Sequence, residues 1–305
     1  MRLATRGPFD LEATVRVLQR RPANRVDVWS QGRYRRVLET SAGLVLAEVA
    51  DRGGIDAPDL WCDIRGSGVR AGARGEASLA LRRLLGLDID PASLRARTGA
   101  EPSMQAAANR LRGLRPPRFA SLFEACASVV PFQQVSLDAG IAVLGRMVER
   151  FGATFEYRGT SQRAFPAAAS IAKARPGALR ACGLSAQKAA TLQRIARAIA
   201  SGELSEAQLE PLTSPQAGAR LTAIKGVGPW TAGLVLLRGC GRLDVFPPGD
   251  VGAQRNLRGL LGTGSERALR AAVARFGGLR GYLYFCALGA SLIGKGLIQS
   301  PRELC

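Results

Sequence analysis

The sequence predicts a mainly α protein with an α+β domain at its N-terminus, and three observations predict it. Period-2 alternation of apolar and polar residues is confined to the first hundred positions. From about Pro116 onward the apolar pattern is helical, broken by short loops that contain Gly and Pro. Between these regimes lies LRGLRPPRF (111–119), which reads as a linker. A chain of 305 residues, 47% hydrophobic, is long enough for two or three domains with real cores. The expected division is an α+β domain over 1–110 and an all-α domain of two subdomains over 111–305.

The elements follow in order. Val26-Asp27-Val28-Trp29, SQGR, YRRVLET, SAG and LVLAEVA read as strand, turn, strand, turn and strand, a short antiparallel meander. ASLALRRLLGL (77–87) reads as a helix with apolar Leu79, Leu81, Leu84 and Leu85, and with Arg82 and Arg83 turned outward. Later helices are FASLFEACASVV, LDAGIAVLGRMVERFG, AQKAATLQRIARAIASG and SERALRAAVARFGG, each ending near a glycine that can cap it. The most apolar run, YLYFCALGASLIG from Tyr282, is shorter than the roughly 18–20 residues that span a bilayer and suits a buried helix. The N-terminus has no hydrophobic export segment, so a cytoplasmic, nucleoid-associated protein without membrane contact is expected.

Charge and missing residue types narrow the chemistry. Forty-three basic residues face 24 acidic ones for a formal charge of +19, and only Lys173, Lys188, Lys225 and Lys295 are lysines. The excess is spread along the chain, so it predicts a positive folded surface and a polyanionic partner, nucleic acid before membrane. The chain has no histidine, which removes Ser-His-Asp and Cys-His catalysis and nearly all zinc enzyme sites. Cys62, Cys126, Cys182, Cys240, Cys286 and Cys305 are far apart and fit neither a zinc set nor an iron–sulfur loop. Chemistry is left to carboxylates, hydroxyls, amines and backbone groups.

The densest signals fall in 214–261, with a helix-hairpin-helix over 215–238. Gln216 to Ile224 is helical in pattern; GVG then turns the chain, and Pro229 suits the first position of a helix running to about Arg238. Gly226 and Gly228 are expected to supply positive φ, with Val227 plugging the space between the helices. The amides of Gly226, Gly228 and their neighbours, with Lys225 and Thr231 beside them, would then meet a DNA phosphate at a helix start. An ordinary αα-turn is the alternative. Within the loop 244–251, Pro247, Pro248 and Gly249 make a rigid turn before Asp250, and Val251 opens a helix. A plain N-cap is the alternative role for Asp250, yet it is one of only two aspartates after residue 139 and lies where the hairpin folds back.

Together, GVGPWTA, about twenty further residues, DVF-P-x-D and a helix resemble the helix-hairpin-helix–Gly/Pro–Asp (HhH-GPD) superfamily of DNA glycosylases, closest to its alkylbase, 3-methyladenine type II branch. PFQQVSLDAGIAVLGRMVERFG (131–152) resembles the family's first domain helix, and PFDLEATVRVLQRRP (8–22) the opening helix of its TATA-binding-protein-like domain. The resemblance implies a monofunctional base excision enzyme, a monomer on double-stranded DNA carrying a damaged base, with an alkylated purine the first choice. Asp250 would be the essential carboxylate, stabilising positive charge on the sugar and orienting water. Trp230 would wall the base pocket and stands where the strand-cutting branch has its Schiff-base lysine. Leu234, Val251 and Leu288 would replace other aromatic walls, with Tyr282 retained, and Gln134 would fill the gap left by the flipped nucleotide. No cofactor is required; a structural Na+ or K+ could sit on main-chain oxygens of Thr222, Ile224 and Val227. The alternatives are a non-catalytic DNA-binding module and a glycosylase for oxidised or deaminated bases.

Overall fold

The computed structural model describes residues 1–66, 69–100, 104–157 and 159–298; Cys305 lies outside them. A five-stranded antiparallel sheet, in the order β1-β5-β4-β3-β2, is built from β1 (Arg2–Leu3), β2 (Val28–Ser30), β3 (Arg33–Thr40), β4 (Gly43–Asp51) and β5 (Leu60–Arg65). The meander forms as expected, and β1 and β5 extend it. In β5, Leu60, Cys62 and Ile64 are buried while Trp61 and Asp63 face outward, the alternation of a sheet with one wet face. Helix α1 (Leu11–Gln19) starts at Asp10, whose carboxylate accepts from the Ala13 amide at 2.8 Å. It packs against the last helix, α15 (Tyr282–Gly294), and so ties the sheet domain to the rest.

Three connecting helices follow: α2 (Ala71–Leu85), α3 (Pro91–Gly99) and α4 (Gln105–Arg110). On α2, Leu81, Leu84 and Leu85 are buried, but Leu79 is 70% exposed. Arg83 does not turn outward. It reaches across the molecule to the carbonyls of Phe119 (2.7 Å) and Gly239 (2.6 Å) and to Glu206.

The stretch 111–119 is not a free linker. Leu111, Leu114 and Phe119 are buried, and Arg115, 1% exposed, donates to the carbonyls of Arg6, Pro8 and Ile89. A cation can be buried there because the ends of loops supply the acceptors it lost with water. One apolar cluster therefore runs without a break from Leu3 and Phe9 through Leu81 and Phe119 to Leu257 and Phe285.

The helical region comprises α5 (Leu122–Ala127), α6 (Leu137–Phe151), α7 (Ala168–Lys173), α8 (Pro176–Ala181), α9 (Ala186–Ala200), α10 (Glu206–Leu209), α11 (Ser214–Thr222), α12 (Pro229–Leu234), α13 (Val251–Leu261), α14 (Glu266–Arg275) and α15. A second cluster around Phe123, Met147, Leu179 and Leu192 gives this region its second subdomain. One strand pair interrupts it: β6 (Thr154–Tyr157) and β7 (Thr160–Arg163), with Phe155 packed on Val37 and Leu46 of the sheet. The domains are also joined by charge. Arg36 of β3 is buried between Asp27 (2.6 Å) and Glu124 of α5. A buried cation with two carboxylate partners is held far more firmly than a surface pair. Cys62, Cys126, Cys182 and Cys286 are buried free thiols, and burial pushes Cys126 and Cys286 up to about 12.

Candidate active site

The two helical subdomains leave a cavity of about 920 Å³ between them. The segment from Ser128 to Leu137 and the start of α9 line one side. The start of α12, the start of α13 and one stripe of α15 line the other. Five cations line it, Arg20, Arg21, Lys188, Arg255 and Lys295, and Asp250 is the sole carboxylate among the described lining residues.

Asp250 is held at both oxygens. Oδ1 accepts from the Ala253 amide at 2.8 Å as N-cap of α13, and Oδ2 accepts from Trp230 Nε1 at 3.0 Å. Capping and facing the cavity are thus one arrangement, not rival roles. The loop comes this close because α12 has no side chain at Gly233, where a Cβ would lie 2.8 Å from Pro248. The carboxylate is fixed in direction and needs no reorganisation to meet positive charge in the cavity.

The hairpin forms between α11 and α12, but its glycines differ from expectation. Gly226 has φ +97°, while Gly228 has φ −92° and ψ 176°, an extended conformation open to any residue. Only Gly226 needs to be glycine for the turn itself. Val227 is buried as the plug. The Gly226 and Gly228 amides donate to no acceptor among the described residues, and Lys225 beside them is exposed and without an ion-pair partner there. The π-turn Val235–Gly239 continues α12 to the end expected for the second hairpin helix.

Not every expected residue faces the cavity. Trp230, Leu234 and Leu288 line its wall, and Val251, 73% exposed, stands at the rim. Thr231 lines it too, but it is buried and its hydroxyl accepts from Gln133 (3.0 Å), so it is not an outer DNA contact. Tyr282 is buried elsewhere, its hydroxyl donating to the Leu114 carbonyl at 3.2 Å. Two positions along a helix are about 200° apart. The stripe that faces the cavity is therefore Tyr284, Leu288, Ser291 and Lys295. Phe132, Tyr284 and Arg20 also join the wall, and no sequence pattern announced them, so the pocket has more aromatic surface than the replacements implied. Gln134 is exposed at the mouth with φ +54°, an uncommon conformation for a residue with a Cβ and one that marks functional loops.

Residues 127–275 match a family described as HhH-GPD superfamily base excision DNA repair protein, and residues 1–121 match the AlkA N-terminal domain. A probable bifunctional transcriptional activator/DNA repair enzyme AlkA of Mycobacterium tuberculosis is 30% identical over 92% of this chain and 55% of its own length. A DNA-3-methyladenine glycosylase of Bacillus subtilis is 34% identical over 52% of each chain. The chain thus spans about half the length of the curated relatives it matches. Among solved structures, a 3-methyladenine DNA-glycosylase from Archaeoglobus fulgidus superposes with a TM-score of 0.81 at 26% identity, over 96% of this chain and 99% of the other.

Proposed function

Because the chain belongs to the HhH-GPD superfamily of base excision DNA repair proteins, with an AlkA-type N-terminal domain ahead of the hairpin core, we propose that it flips a damaged purine, an alkylated one first, out of double-stranded DNA and hydrolyses its N-glycosidic bond. The observation that carries this reading is Asp250, the lone carboxylate among the described residues of a cavity that five cations also line. As the bond to the base breaks, positive charge develops on the sugar; the anchored carboxylate stabilises it and orients the attacking water. An alkylated base leaves readily, so no strong general acid is needed, and none with an imidazole exists in this chain. A non-catalytic clamp would have no use for a cavity of about 920 Å³ behind its hairpin. One copy carries carboxylate, hairpin and wedge, which supports action as a monomer.

Trp230 in place of the Schiff-base lysine supports water as nucleophile. Lys225 lies outside the cavity; of the two amines that line it, Lys188 and Lys295, Lys188 is lowered by desolvation but donates to the Pro131 carbonyl at 3.0 Å. The test is a panel of duplexes with single lesions. The expected outcome is alkali-labile abasic sites on an intact strand with no borohydride-trapped adduct. No excision from any lesion overturns the function, and efficient trapping overturns the monofunctional reading. A monovalent cation would suit the hairpin. The Thr222 and Val227 carbonyls accept no hydrogen bond among the described residues, and that of Ile224 accepts only the Val227 amide. Such an ion would add positive charge next to the bound phosphate.

Two further outcomes follow from the mouth of the cavity. Lys225→Ala removes one phosphate cation, so the slope of log affinity against log salt should become shallower by roughly 0.9; an unchanged slope removes Lys225 from the clamp. Gln134→Ala removes the wedge that holds the stack open, and flipping costs a few kcal/mol in a stable pair and least in a mismatch. Single-turnover excision should slow most for paired lesions and least for mismatched ones. Equal slowing on all of them would sink the wedge.

A further inference from the structure

The cavity has a wall that bond cleavage does not use. Arg20 caps α1 with φ +63°, its Nη2 donates to the Tyr284 hydroxyl at 2.5 Å, and its guanidinium carbon lies 5.7 Å from the centre of the Phe132 ring. Its Nε is buried without a partner, whereas Nη1 is neither sealed off nor bonded among the described residues and is left as a free donor in a cavity-lining side chain. Behind it Arg238 is fully buried. Burial, with the like charge of Arg20, pushes that guanidinium down to about 9. The nearby carboxylates Asp27 and Glu124 are engaged by Arg36. A guanidinium carries donors and no acceptor, so at Arg20 the wall presents a donor alone.

We propose that Arg20, held in place by Tyr284, reads the flipped base and selects damaged purines with a carbonyl at ring position 6 over those with an amino group there. The inference rests on the reading of this cavity as the base pocket. A 6-oxopurine offers an acceptor on the edge away from its glycosidic bond, and Arg20 completes it with a charge-assisted hydrogen bond. A 6-aminopurine turns an N–H toward an N–H in a site that has shed its water, leaving both unpaired. A pocket built around a hydrogen bond discriminates far better than one built on shape alone.

The experiment uses the full chain and DNA methylated with an isotopically labelled methylating agent, which carries both 7-methylguanine (6-oxo) and 3-methyladenine (6-amino). Released bases are separated by chromatography, and their rates compared for the native protein, Arg20→Met and Arg20→Lys. Arg20→Met keeps an apolar stem and loses the donors. The ratio of 7-methylguanine to 3-methyladenine release should fall at least tenfold, and Arg20→Lys, which restores one donor, should recover part of it. A duplex carrying hypoxanthine, an uncharged 6-oxopurine, should lose rate alongside 7-methylguanine. If Arg20→Met slows both bases by one factor, or leaves the ratio unchanged, Arg20 only supports the wall and the selectivity is wrong. If Arg20→Met does not fold, Arg20→Lys decides by the same ratio. Should the native protein release no base at all, the glycosylase reading falls as well, a result distinct from an unchanged ratio.

Discussion

Asp250→Asn should lose excision by a factor on the order of 10²–10⁴ while still binding lesion DNA. The substitution is informative because of how the carboxylate is held. Asparagine caps a helix about as well as aspartate, so its one carbonyl oxygen can keep the bond from the Ala253 amide that Oδ1 now accepts. It cannot also accept from Trp230 Nε1, which Oδ2 does at 3.0 Å. The fold and α13 should survive, the negative charge is gone, and the tryptophan loses its partner. Asp250→Ala loses cap and charge together and should cost about 1 kcal/mol of stability besides. The measurement is single-turnover excision with enzyme in excess, beside binding to the same duplex. Near-normal rates in Asp250→Asn would leave the residue as a cap and nothing more.

Asp250, which caps α13 and lines the cavity at once, also shows why the sequence could not decide between its readings. Cap and catalytic carboxylate call for the same residue at the same place, and one geometry serves both. The hairpin was readable because glycine and proline mark turns directly. Its detail was not: GVG does not say which glycine takes the left-handed turn, and only Gly226 does. Helix α15 shows a different limit. YLYFCALG is buried on nearly every side, so no polar stripe sets its phase, and Tyr282 could not be told from Tyr284 without the structure. Strand β5 did carry a period of two, but Trp61 at an outward position disguised it. The charge count misled in its own way. Arg36, Arg115 and Arg238 count toward +19 in the sequence yet are fully buried, so part of that charge holds domains together and does not face solvent.

Gly226→Ala should damage the protein more than Gly228→Ala, and by a different route. A Cβ on Gly226 would lie 1.9 Å from Thr191 Oγ1 and 2.9 Å from its Cβ, at a residue with φ +97°. Thr191 is buried on α9, and its hydroxyl donates to the carbonyls of Gln187 and Lys225, so it cannot swing aside without giving up its seat on the hairpin. Left-handed strain costs roughly 1–3 kcal/mol in such a place, and forcing a methyl into a packed contact typically costs about 1–3 kcal/mol more. Gly228 has ordinary dihedrals, and a methyl added there would find no atom within 4 Å. The alanine there should cost no more than about 1 kcal/mol, as a poorer N-cap of α12. On the proposed reading, what that methyl meets is the phosphate. Gly228→Ala should therefore melt close to the native protein yet bind every duplex more weakly by a similar factor, because phosphate contacts carry no sequence information. Gly226→Ala should lose melting temperature and binding together, and Thr191→Ala in that background should recover part of the stability by removing Oγ1. Melting curves and salt-titrated binding for the three variants separate the routes. A Gly226→Ala protein that melts and binds as the native one does would show that the hairpin is not seated on α9.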